Sequence, residues 1–157
     1  MTELQPAILT ITLNPALDLS ADAPQVVAGP KLRLSEPVIE PGGGGINVAR
    51  AIALLGGQAR VLAALGGVTG ARLAEMITGA GLELLPFALP GETRQSLSVT
   101  DRRDGQQYRF ILPGPQWAAA LSDDLLARIA AAAAPGGWVV LSGSQPPGVA
   151  DDFPLQL

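Results

Sequence analysis

Cysteine and histidine are both absent from the 157 residues. That excludes disulfides, thiolate nucleophiles, serine–histidine triads and the commonest zinc ligands together, and leaves chemistry to Asp, Arg, Lys, Ser, Asn and backbone groups. Basic charge is also scarce: ten Lys and Arg stand against fourteen Asp and Glu, the net charge is −4, and the basic residues form no block. The electrostatic footprint that grips a phosphate backbone is missing, so nucleic acid is excluded as a partner. Long apolar runs are missing as well, because Gly or Pro interrupts every apolar segment before the roughly 18 consecutive residues needed to span a bilayer. No membrane partner is expected. The run from Ala7 to Leu13 contains Thr10 and Thr12, follows Glu3 and meets Pro15, which is not the pattern of a signal peptide. A cytoplasmic location is the expectation.

What is present suffices for one domain with a real core, since 48% of the chain is hydrophobic. Gly and Pro supply 19 and 14 residues, so turns are frequent. Ile8 to Leu13 (ILTITL) is β-branched and reads as a strand cut off at Asn14-Pro15. Residues 20–40 hold Pro24, Gly29-Pro30 and Pro37 between short apolar pieces, as expected of short strands near a sheet edge. After Pro41 four glycines open a helix over Ile46 to Leu55 that stops at Gly56-Gly57. Val61 to Leu65 reads as a buried strand, Ala71 to Thr78 as a helix and Leu82 to Phe87 as a strand. This alternation argues for an α/β fold with a parallel sheet covered by helices. Ser96 to Thr100 and Gln107 to Leu112 flank Asp104-Gly105, a hairpin signal that breaks the alternation. The hairpin is therefore placed with residues 20–40 in a small accessory sheet. Ser122 is expected to cap a helix running to Ala134, and Trp138 to Leu141 to form a last buried strand before Ser142-Gly143-Ser144-Gln145-Pro146-Pro147-Gly148.

Ligands of an open parallel sheet bind beyond the carboxyl ends of its strands, which directs attention to Asn14–Asp18, Pro41–Asn47 and Ser142–Gly148. The glycine run offers backbone N–H groups at a helix N-terminus, suited to an anion or a hydroxyl-rich ligand. It lacks the Lys-Ser/Thr of a nucleotide P-loop, and the residues alone are equally compatible with a turn that holds no ligand. Asp18 suits the hydroxyls of a ligand or an ordinary turn. Lys31, Arg33 and Arg94 suit a phosphate or a solvated strand face. Arg102, Arg103 and Arg109 read as solvated hairpin residues, and Ser142 and Ser144 as turn formers.

Taken together, LTITLNPALD, GPKLR, PGGGGINVARAIALLGG, GGVTG, TRQSLSVTD, GQQYRFILPGP and VVLSGSQPPGV, in this order and spacing, closely resemble the N-terminal half of the PfkB (ribokinase-like) sugar-kinase family. The resemblance covers nearly the whole chain. It implies a ribokinase-like parallel sheet with flanking helices plus a small β-lid, with lid segments at about 20–40 and 92–112. Within the family it is nearest to members that phosphorylate fructose 6-phosphate. Relatives acting on fructose 1-phosphate often carry Lys where Gly44 stands, and tagatose 6-phosphate remains an alternative acceptor.

By the same resemblance Asp18 grips sugar hydroxyls, Gly43 and Gly44 lie closest to the ligand, and Asn47 binds sugar or phosphate. Lys31 and Arg94 match positions that hold the 6-phosphate, and Ser144, or Ser142 in its place, touches substrate. The lid forms the dimer interface in many members, so a homodimer is implied. ATP and Mg²⁺ are the implied co-substrate and cation. Members are about twice this length, and their second half carries the ATP pocket and a GAGD-like anion hole whose Asp is the general base. No such motif occurs in this sequence, which reads as the substrate-binding half of a kinase, expected to give no turnover alone. Binding or dimerisation without catalysis is the rival reading.

Overall fold

A computed structural model describes residues 5–157; Glu3, used above, lies outside the described residues. The first strand, β1 (Ile8–Thr12), ends where Pro15 removes a ladder donor. The chain turns that corner and resumes as β2 (Ala16–Ala23), which belongs to a second sheet. The lid sheet thus begins four residues earlier than its sequence boundary, and Asp18 lies on a strand of it, not in a loop. Residues 24–37 form no regular element, consistent with Pro24, Pro30 and Pro37, and the return strand is β3 (Val38–Gly42).

The helix α1 (Gly44–Leu54) follows at once, then β4 (Arg60–Leu65), α2 (Gly67–Gly79) and β5 (Glu83–Ala88). The lid hairpin is β6 (Arg94–Asp101) and β7 (Gln107–Ile111). The last helix, α3 (Ala119–Ala132), starts before Ser122, which is not its cap. Its first residue lies two positions after Trp117, whose ring is buried and stacks on Phe87 and whose backbone N–H donates to the Pro147 carbonyl at 2.8 Å. Core burial of that indole, rather than a capping hydroxyl, sets where the helix begins. The strand β8 (Trp138–Leu141) and a 3₁₀ turn over Phe153–Gln156 complete the described chain.

Four parallel strands in the order β5-β4-β1-β8 make the main sheet, and β3-β2-β6-β7 make the lid. Alternation builds the two faces of the main sheet. Leu9, Ile11 and Leu13 of β1 with Leu62 and Ala64 of β4 pack on Leu125 and Ile129 of α3, Trp117 and Phe153. Val61, Ala63 and Leu65 face Ile46 and Ala49 of α1 and Leu73 and Ile77 of α2. β8 is a sheet edge, and its Trp138 is 65% exposed. Among the described residues no helix is long and apolar enough to cross a membrane.

Thr12 breaks the apolar pattern of β1 for a reason. It is buried, and its Oγ1 accepts the Ile46 N–H at 3.1 Å, which satisfies an amide at the start of α1 that the helix itself leaves orphaned. Thr12→Val keeps the shape and strands that donor, so unfolding stability should fall by about 1 to 3 kcal/mol. Urea denaturation should show a lower midpoint with an unchanged slope.

Candidate functional site

The site is assembled where the carboxyl ends of β1 and β8 meet the start of α1 and the near end of the lid. Four glycines make that meeting possible through close approach. A Cβ on Gly42 would overlap the Asp18 carboxylate, one on Gly43 would lie 2.6 Å from the Thr12 methyl, and one on Gly45 would overlap the Ile11 carbonyl. A Cβ on Gly44 would collide with the Ser142 hydroxyl and come within 2.6 Å of the Gly143 nitrogen. Gly43 also has φ +138, a conformation that L side chains rarely adopt.

The run is therefore less open than its sequence suggests. Of the first three α1 amides, Gly45 donates to the Ser142 carbonyl at 3.1 Å and Ile46 to Thr12, leaving that of Gly44. The Asn47 N–H bonds the Gly43 carbonyl at 2.9 Å, and the residue itself is exposed.

Asp18 shares its face of the lid with cross-strand neighbours. It stands in register with Glu40 on β3 and Ser96 on β6. Burial pushes its carboxyl above the usual aspartate range, helped by the Glu40 charge and opposed by the Ser96 hydroxyl and the Arg94 and Arg109 guanidinium groups. Glu40 is itself in an exposed pair with Arg50 at 3.3 Å, a contact of little energetic weight.

Arg94 sits at the first position of β6. Its Nε and Nη2 both donate to the Asn14 carbonyl, at 3.2 and 3.1 Å, so the guanidinium straps the lid to the corner between β1 and β2. The Asn14 amide nitrogen in turn donates to Ser144 Oγ at 3.2 Å, while its Oδ1 is buried without a partner among the described residues. Asp18, Gly43, Gly44, Arg94 and Ser144 are thus drawn together. Ser142 is drawn in too, through its contact with the glycine run. Lys31 is not: it lies in the exposed 24–37 segment and makes no hydrogen bond or ion pair with any other described residue.

From the sequence, Asn14 falls in a candidate loop but receives no role, Thr12 and Ser96 are passed over, and Arg109 reads as solvated hairpin. Asn14 and Thr12 flank the end of β1 and were legible as polar residues at a strand's carboxyl end. Ser96 and Arg109 acquire their place only through the pairing of β2 with β6 and of β6 with β7.

A parallel sheet with helices on both faces, a four-stranded lid and a glycine cradle at the strand ends make up a ribokinase-like architecture. The pattern of the pfkB family carbohydrate kinases matches residues 11–154, and the chain belongs to that family. ATP-dependent 6-phosphofructokinase isozyme 2 of Mycobacterium tuberculosis is 42% identical over 151 residues, 96% of this chain and 44% of that protein. The solved structure of Escherichia coli phosphofructokinase-2 in complex with fructose-6-phosphate superposes with a TM-score of 0.86 at 38% identity, covering 98% of this chain and 50% of that one. More distant is tagatose-6-phosphate kinase of Staphylococcus epidermidis, 30% identical over 146 residues, 93% of this chain and 46% of that protein. The chain spans less than half the length of these curated relatives.

The raised Asp18 pKa carries a sign that can be measured. Between the ordinary aspartate value and the higher native one, the folded state holds more protons than the unfolded state, so stability falls as pH rises through that interval. Asp18→Asn removes this dependence. Thermal midpoints between pH 4 and 7 should decline less in the variant, which should be the more stable protein at pH 7.

Proposed function

We propose that this chain forms the acceptor-binding part of an ATP-dependent kinase that phosphorylates fructose 6-phosphate at its 1-hydroxyl. The observation that carries the reading is that the half-buried Asp18 carboxyl and the Ser142 hydroxyl lie against the glycine cradle, while the Arg94 guanidinium and the Ser144 hydroxyl both meet Asn14 at the same strand end. A carboxylate accepts bonds from sugar hydroxyls, and a guanidinium fork suits a phosphate. In this reading Asp18 holds hydroxyls of the ring, Arg94 the 6-phosphate, and Asn47 and the Gly44 amide complete the cradle. Lys31 is assigned to the same phosphate, on the strength of the family pattern alone.

In the transfer, the acceptor oxygen forms a bond to the γ-phosphorus, the bond from that phosphorus to ADP breaks, and the hydroxyl proton passes to a base. Asp18 is assigned to binding, and no described residue is assigned as that base. Among the described residues no group of three or more acidic side chains comes together to hold a metal ion, and Glu40 beside Asp18 is bonded to Arg50. The work assigned to the described residues is to bind and orient the acceptor. Gly44 stands where relatives acting on fructose 1-phosphate often carry Lys, and on the strength of that pattern the acceptor assigned is a 6-phosphate.

Arg94→Ala should remove charge-assisted bonds worth about 1.5 to 3 kcal/mol, and so weaken fructose 6-phosphate binding roughly ten- to a hundredfold. Asp18→Ala should weaken binding of unphosphorylated fructose as well. Calorimetric titration of both variants checks the assignment, and unchanged affinity in a folded Arg94→Ala protein sinks it.

The lid also supplies the proposed contact with a second copy. Phe110, Ile111 and Leu112 are each more than half exposed at the β7 end of the sheet, as is Val38 on the opposite edge strand. Unpaired edges bearing apolar side chains invite pairing. Light scattering at micromolar concentration should report a dimer, and Phe110→Asp should shift it to monomer.

A further inference from the structure

Glu92, two residues before the lid strand β6, is joined to a distant part of the main domain. Its two carboxylate oxygens accept the backbone N–H groups of Val68 and Thr69, each at 3.0 Å, at the start of α2. That helix has no acidic residue in its first turn and no side-chain cap of its own, so a residue more than twenty positions later performs the task. The fit is close: a Cβ on Gly67 would overlap the Glu92 carboxylate, and one on Gly66 would overlap the Gly91 carbonyl. The Thr69 and Val68 amides together hold the Glu92 carboxyl below its ordinary range, so it is ionised across the neutral range.

The clamp continues through the next residue into the site. Thr93 is buried, its hydroxyl accepts the Gly66 N–H at 3.0 Å, and its own N–H donates to the Gly66 carbonyl at 2.9 Å. Arg94 follows immediately as the first residue of β6, with its guanidinium on the Asn14 carbonyl. Three consecutive residues therefore lead from a helix cap, through a reciprocal buried pair, to the arginine assigned to the substrate phosphate. The turn at Gly66–Gly67 and the corner at Asn14 hold this stretch from two sides.

The geometry points to Glu92 as a positioning residue: by capping α2 it fixes the point where β6 leaves the main domain, and with it the placement of Arg94. The inference rests on the reading of Arg94 as a phosphate ligand. Glu92 itself is exposed, so its loss should free the junction without opening the core.

The test is calorimetric titration of the full chain with fructose 6-phosphate, in the natural and the Arg94→Ala backgrounds, with amide exchange at Val68 and Thr69 followed in parallel. Glu92→Ala should weaken binding three- to tenfold and speed exchange at both amides. Glu92→Gln, which keeps one acceptor oxygen, should do less of each, and it is read in the same way if the alanine variant does not fold. In the Arg94→Ala background the Glu92 substitutions should add no further loss, because the arginine they position is gone; a purely structural role would add the same factor in both backgrounds. Equal losses in both backgrounds, or affinity within twofold of the natural protein while exchange accelerates, overturns the positioning role. If Arg94→Ala alone leaves affinity unchanged, the phosphate assignment fails and the role of Glu92 falls with it, whereas an impaired Arg94→Ala beside unaffected Glu92 variants rejects the role of Glu92 alone.

Discussion

The constraint on which the rest depends is the absence of side-chain volume along Gly42–Gly45. At this seam the last residue of a lid strand, the cap of α1 and the first turn of that helix pass successively against Asp18, Thr12, the Ser142 loop and the β1 backbone. Any side chain there would separate two sheets that must touch. Interiors pack densely enough that a methyl group without room displaces its neighbours. The same close approach brings a carboxylate from one sheet and a serine loop from the other to a single helix terminus. The glycines thus serve the site by allowing the protein to close on itself, and only secondarily by exposing amides.

Polar groups hold this seam in place of apolar ones. The side chain of Thr12 and the carbonyl of Ser142 each take one amide of α1, and Arg94 and Asn14 link the lid to the loop after β8 through the corner at the end of β1. A buried polar network is valuable only when its members are paired, and here most are. Asp18 is the member that burial leaves with a raised pKa in spite of two nearby arginines. A group kept partly desolvated and incompletely paired is where a ligand can make bonds that water makes poorly.

The far end of the lid is ordered by a different carboxylate. Asp101 is buried and accepts the Val26 N–H at 2.9 Å and the Arg103 N–H at 2.8 Å, which pins the start of the 24–37 segment to the tip of the β6–β7 hairpin. Ser35 closes the same segment against Asp22. The stretch that carries Lys31 therefore leaves and rejoins the lid at defined points, although it contains no regular element. Its prolines account for the missing ladder; the two aspartates account for the order at its ends.

Local pattern carried much of this protein. Alternation in ILTITL and RVLAAL, the helical spacing after the glycine run and the Asp104-Gly105 hairpin all announced themselves, because strand and helix periods and turn chemistry are properties of near neighbours in the chain. Motif order was enough to place the chain in its family and to single out Asp18, Arg94 and the glycine cradle. Tertiary structure decided what those residues touch. Nothing local says that β2 pairs with β6 across more than seventy residues, that Trp117 rather than Ser122 fixes the start of α3, or that Glu92 caps a helix begun at Gly67. Partners distant in sequence are chosen by which surfaces can be buried together and which amides are left without a bond, and those quantities exist only once the whole chain has packed.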